Sequence, residues 1–484
     1  MKECPYCRNL LQDQWSYCHF CNKPLLTKLQ DQSNITDETF IDGNREYSFD
    51  LPYSNSELNN KQSLFEFNLI KEEEIDYEIQ KIDNEIDRKV KIGESIGELL
   101  LEKASLYNLK KEYNIALETL ENALNYFQEL NDILNSAITH NEIGLIQEDL
   151  GFYDNSIYNF EKSIENLQKI NEKVKLTKVY NNLANVFYLI NDIEHSYEYY
   201  NKALELAERE NLISEEIKTS SNLVDILFIL EEYDKITKIL ERNLEYFQQI
   251  GDPYGSIITL TKQGILNFFL GSNNFNISFQ YIQKALEIIN QIKLSKNFTI
   301  KHKAKLEWEL FLYLGKLFVL QEKYKQAENY FFRSLEAVRI AEIEVKESIV
   351  LENLGFLFEK KRDYNKSIEY YNLAREIYYK FGDDLNYAEL TYKIANVYSK
   401  YDNIEAIRLF EESLELFKEL NYSKRIAEIL HKLGDIYLNK GIIELAITHF
   451  QEAKSHYEDL NDEFNIKLLT EKINSLLNSN TNNL

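Results

Sequence analysis

A small residue returns at a nearly fixed interval along most of this chain, and that repeat constrains the fold more than any other feature. It stands at Ala123, Ser163, Ala203, Asn243, Ala285, Ser334, Ala374, Ser413 and Ala453, with separations of 40, 40, 40, 42, 49, 40, 39 and 40 residues. A second small residue lies nineteen positions upstream of most of these, at Ala104, Gly144, Ala184, Gly315, Gly355 and Gly434, with an aromatic three residues after it in most units. Ala116, Ser156, Ser196, Ala327, Ser367, Ala406 and Ala446 form a third set, followed after four residues by Phe160, Tyr200, Phe331, Tyr371, Phe410 and Phe450 in all but the first. Two antiparallel helices per unit, A and B, explain the pattern. The small residues let A and B approach closely, and the aromatics are expected to fill the gap to the next unit.

The turns between units carry their own signal. Asn131, Asn171, Asn211, Gly251, Gly382, Asn421 and Asn461 follow the repeating small residue by eight, and these types accept the left-handed conformation that ends a helix. Asp132, Asp252, Asp383 and Asp462 come next and are placed to cap the following helix. With only 14 Gly and 4 Pro in 484 residues, composition also favours helices. The fold class is all-α, with about nine helix-turn-helix units over residues 95–463 and a closing cap helix in 464–484.

This pattern resembles the tetratricopeptide repeat, in the 40-residue variety of kinesin light chains and bacterial peptide-responsive regulators. The resemblance implies a right-handed α-solenoid with a concave groove lined by the A helices. The fourth unit departs from it at Val224, Leu227, Ile236 and Asn243, and the fifth has an insertion around 272–276.

All four cysteines lie near the start, as Cys4-Pro5-Tyr6-Cys7 and Cys18-His19-Phe20-Cys21. Two CxxC knuckles can complete a tetrahedral thiolate site, and a segment this short needs a metal to fold. Zinc held by Cys4, Cys7, Cys18 and Cys21 is the expectation, with iron or redox use as alternatives. Residues 1–26 resemble the zinc ribbons found at prokaryotic protein termini, although Arg8 and Asn22 stand where that family places glycine. Four thiolates close the site, so its role is structural.

Residues 27–69 are polar and aperiodic, interrupted by Gly43 and Pro52, and are expected to form a flexible acidic linker with a short binding motif around Phe65 and Phe67. Ile75, Ile79, Ile82, Ile86 and Val90 then mark one stripe of an amphipathic lead-in helix over 70–94, expected to cap the first repeat.

A net charge of −25 disfavours nucleic acid and anionic membrane surfaces and suits a basic partner, or simply keeps a long array in solution. No run of about 18 uncharged apolar residues is present to span a bilayer, and the first residues lack a signal-peptide core, which places the chain in the cytoplasm. No phosphate-binding loop, dinucleotide glycine motif or HExxH pair occurs, so an enzyme is not expected.

In related repeats the residue after the small residue of helix A points into the groove. Here it is Asn185, Asp225, Asn396 and Asp435, types that can hydrogen-bond an extended peptide, and their replacement is expected to cost little stability. A second candidate is the insertion at 291–306, read as a loop, where Lys293, Lys296, Lys301, Lys303 and Lys305 gather without an acid. The leading function is a scaffold or adaptor that grips a peptide or protein partner, with the zinc ribbon as a second contact module. The alternative is a nucleic-acid-associated regulator that uses the ribbon to touch RNA or DNA.

Overall fold

The computed structural model describes residues 72–295 and 298–481, together with two short strands near the N-terminus. The strands β1 (Lys2–Glu3) and β2 (Leu10–Leu11) pair antiparallel, Lys2 opposite Leu11 and Glu3 opposite Leu10. The four cysteines, the 27–69 linker and Lys296 lie outside the described residues. The described chain beyond the strands is an all-helical repeat solenoid of twenty helices, and its contacts divide into two units.

The first unit opens with α1 (Glu72–Ile92), the lead-in helix. Its Ile75, Ile79 and Ile82 pack on Leu106 of α2 (Gly97–Leu109), while Val90 is exposed. Lys103 and Lys110 of the first repeat reach back to Asp83 and Asp76 of α1, at 2.5 and 2.8 Å. The A and B helices then alternate: α3 (Tyr113–Glu129), α4 (Ile133–Asp149), α5 (Tyr153–Lys169), α6 (Lys173–Leu189), α7 (Ile193–Arg209), α8 (Ile213–Ile229), α9 (Tyr233–Ile250) and α10 (Pro253–Phe269).

The second unit runs α11 (Phe275–Gln291), α12 (Ile300–Leu320), α13 (Tyr324–Ala341), α14 (Glu344–Lys360), α15 (Tyr364–Phe381), α16 (Asp384–Tyr398), α17 (Asn403–Glu419), α18 (Ser423–Asn439), α19 (Ile443–Asp459) and α20 (Glu463–Thr481). The inserted residues 272–276 make a short 3-10 turn, Ser272–Asn274, before α11.

The turns follow the sequence signal. All seven of Asn131, Asn171, Asn211, Gly251, Gly382, Asn421 and Asn461 have positive φ, between 53 and 70°. Asp132, Asp252, Asp383 and Asp462 each accept a backbone N–H from the first turn of the next helix. The turn inside a repeat is left-handed too, at Lys111, Gly151, Asn191 and Glu231 in the first unit and at Glu322, Arg362 and Gly441 in the second.

All nine repeating small residues are buried, and so are the seven of the third set. Some aromatics do reach the next repeat, as Phe247 does toward Gly255 and Phe332 toward Tyr370, but several of the repeating ones turn inward to their own repeat. A Cβ on Gly355 would meet the Tyr371 ring at 2.5 Å, and one on Gly434 would meet Phe450 at 2.5 Å, each the aromatic sixteen residues later on the B helix of the same repeat. The second aromatic also stays home: Phe187 stacks on Tyr199, Phe318 on Tyr330 and Phe358 on Tyr370, with centroids 5.3 to 5.6 Å apart. Tyr437 and His449 repeat that stack at 5.3 Å. At these positions rings glue A to B within a repeat, and although Phe228 of α8 meets Phe269 of α10 at 6.0 Å, other, polar side chains make most of the further ties between successive A helices.

Candidate partner-binding face

Those other side chains obey one register rule. The residue two before the small position of an A helix reaches back to the residue three before it in the preceding repeat. In the first unit Asn182 Nδ2 donates to Asn141 Oδ1 at 2.9 Å, and Asn222 Nδ2 to Asn181 Oδ1 at 3.3 Å. Lys262 follows, donating to the Ser221 carbonyl at 3.0 Å and to Asp225 Oδ1 at 2.8 Å. In the second unit Lys393 pairs with Glu352, and Lys472 of the cap helix meets His431 Nε2 at 3.0 Å and Asp435 Oδ1 at 2.7 Å. Arg425 to Glu389 at 2.7 Å and Lys400 to Glu359 at 2.5 Å add further ties between successive A helices.

The residues singled out from the sequence stand one position after the small residue, and two of them, Asp225 and Asp435, also meet the lysines of this register. Asn185 is buried, and its Oδ1 accepts the hydroxyl of Tyr200 from the B helix of its own repeat. Tyr200 has an unusually high pKa, first because it is buried and then because Asp225 is near, so its hydroxyl stays a donor. Burial and the Asp225 charge raise Tyr188 in the same way. Asn185 and Asp225 are thus drawn to one polar cluster with Tyr188, Tyr200 and Lys262. In the second unit Asn396 is half-buried and donates to the Tyr392 carbonyl one turn back at 3.0 Å. Asp435 is 41% exposed and bridges Lys472. Tyr371 plays the part of Tyr200, its hydroxyl donating to Glu359 at 3.2 Å.

The expectation that all four groove residues are dispensable for the fold does not hold for Asp225. Its side chain is 5% exposed and that of Lys262 is 8% exposed, so removing the carboxylate strands a buried ammonium. The lysine-rich insertion also differs from its sequence reading as a loop. Lys301, Lys303 and Lys305 lie in the first turns of α12, where Thr299 and His302 form a capping box, and Lys301 pairs with Glu342.

The residues that sequence reasoning missed are Asn141, Asn181, Asn182, Asn222 and Lys262. Singly they look like surface polar residues. Their signal is the spacing of 41 between partners, one more than the repeat itself.

A tetratricopeptide repeat model matches residues 135–209 and 347–419, and another matches 427–456. Tetratricopeptide repeats are therefore present in the chain. No curated protein matches the sequence. Among solved structures, the chain is similar to BtubC (BKLC) from P. vanneervenii at 16% identity, over 47% of this chain and 92% of that one, with a TM-score of 0.41. It is similar to a Rap protein complexed with Competence and Sporulation Factor at 16% identity, over 77% and 99% of the two chains, with a TM-score of 0.45. It is also similar to the quorum sensor NprR from B. thuringiensis at 12% identity, over 80% and 93%, with a TM-score of 0.47. These are likenesses of fold.

Proposed function

We propose that this protein is a non-enzymatic interaction scaffold of the cytoplasm, which takes a peptide or protein segment against the A helices of its repeats. The observation that carries the reading is the register of those helices. The position after the small residue holds Asn185, Asp225, Asn396 and Asp435, polar groups that line the A helices and are held there by bonds to Tyr200, Lys262, the Tyr392 carbonyl and Lys472. Amide and carboxylate groups of this kind can exchange such bonds for contacts to a peptide main chain, and the charge of −25 favours a basic partner.

The N-terminal module is a second contact. We infer that Cys4, Cys7, Cys18 and Cys21 hold one structural zinc. The donor set supports this: two CxxC pairs within the first 21 residues, the thiolate chemistry that zinc prefers.

Affinity capture from the native organism with wild-type protein and an Asn185→Ala/Asn396→Ala variant tests the scaffold. Capture should fall at least about tenfold, which two lost side-chain contacts of about 0.5–1.5 kcal/mol each can supply. Equal recovery of the same proteins would move the binding site off this face, and recovery abolished by nuclease would favour the nucleic-acid alternative. Elemental analysis should find one zinc per chain, lost in Cys4→Ser.

A further inference from the structure

The last helix of the array is tied down differently from every other A-type helix described. Lys472 of α20 donates to both His431 Nε2 and Asp435 Oδ1 of α18. An ammonium has only hydrogens to offer, so the imidazole nitrogen that meets it must present a lone pair. His431 is therefore neutral when α20 is docked. At the same register the earlier repeats use Asn141, Asn181, Ser221 and Glu352, none of which changes charge near neutral pH.

We propose that His431, Asp435 and Lys472 form a proton-sensitive latch that releases the C-terminal cap helix in mildly acidic conditions. Protonation turns Nε2 into a donor and sets two cations against each other across 3.0 Å. The imidazolium also competes for Asp435, whose Oδ2 already lies 3.7 Å from Nε2. Lys472 loses one acceptor or both.

The other groups facing His431 do not offset this. Lys432 on its own helix and Lys472 both oppose its protonation, and Asp435 alone favours it. From α19 the rings of Phe450 and Tyr457 stand edge-on at 5.9 and 6.4 Å, which keeps the site partly dry. Burial, then Lys472, lowers the His431 pKa. The docked state thus binds fewer protons than the open one, so docking is strongest above the ordinary histidine pKa of about 6.5 and weakens as pH falls through it. Opening uncovers Leu469 and Ile473, which are buried on α20, and the Tyr457 surface of α19.

Amide hydrogen exchange of the full-length protein tests the latch. Protection of residues 463–477 is compared at pH 7.5 and 5.5, corrected for intrinsic rates and referenced to 426–436 in α18. Protection of α20 should fall by about fivefold to tenfold at pH 5.5, the limit set by a histidine one pH unit below its free value. His431→Gln keeps an acceptor that does not titrate, and Lys472→Met leaves no ammonium to oppose. His431→Gln should lose the pH dependence, and Lys472→Met should weaken it, because the imidazole stays buried. An unchanged ratio in the wild type overturns the latch. So does full retention of the pH dependence in His431→Gln, which would point instead to His449 of α19.

Discussion

The two units solve one problem with different chemistry. Successive A helices must be tied at a position that the rings and small residues leave unfilled. The first unit uses neutral amides, Asn182 to Asn141 and Asn222 to Asn181, and ends on the buried pair Lys262–Asp225. The second uses partly exposed ion pairs, Lys393–Glu352 and Lys400–Glu359. Geometry is set by the repeat, and the chemistry at the tie is free to vary. Burial decides what each tie is worth. A dry polar group without its partner costs its full desolvation, whereas an exposed charge falls back on water.

The sharpest way to break this comparison is Asp225→Ala. It leaves Lys262 buried without its carboxylate and should cost about 3–5 kcal/mol, read by urea denaturation. Replacing both partners together, Asp225→Leu with Lys262→Met, should recover most of that loss, because the pair rather than its attraction is what burial requires. A single variant losing under about 1 kcal/mol would show that water reaches this site.

Next in size is Asn222→Leu. It removes the donor to Asn181 and leaves a carbonyl oxygen dry, at a cost of about 1–3 kcal/mol by the same measurement. His140 supplies a smaller effect. It is buried on α4 with Nδ1 2.8 Å from Asn159 Oδ1, and burial lowers its pKa. The folded state binds fewer protons there, so stability should drop as pH falls below about 6.5, by at most about 1.4 kcal/mol at pH 5.5. His140→Gln should flatten that slope, and a slope that survives the substitution would assign the effect elsewhere.

Much of this architecture is legible in the amino-acid sequence. The repeat spacing locates all nine repeating small residues, and Asn or Gly at seven turns foretells seven left-handed caps. The turns inside the repeats are only partly legible: Gly151, Asn191 and Gly441 carry the signal, but Lys111, Glu231, Glu322 and Arg362 adopt positive φ although their types rarely do. The direction of the aromatics escapes the pattern for a related reason. Spacing says that Gly355 and Tyr371 belong to one unit, but only the backbone shows that the ring fills the missing Cβ of that glycine. The site residues are half legible. Periodicity finds Asp225 and Asp435, while their lysine partners lie 37 residues on, off the repeat, where no single-period reading looks.

The smallest effect separates the units most cleanly. Lys393→Met removes a cation that is 34% exposed, and its partner Glu352 is 19% exposed, so each remains solvated when the other is lost. The cost should be no more than about 1 kcal/mol at low salt. Salt then provides the discriminating axis. At 1 M the screening length is roughly 3 Å, against about 10 Å at 0.1 M, so the difference between wild type and Lys393→Met should vanish as salt rises. The loss from Asp225→Ala should hardly change, since mobile ions do not enter a buried pair. Taking each variant as a difference from wild type at the same salt also cancels the relief that screening gives to a chain carrying −25. If both losses shrink in parallel, the Lys262–Asp225 pair is as wet as the pairs of the second unit. The contrast between dry ties in one unit and solvated charges in the other would then reduce to residue identity alone.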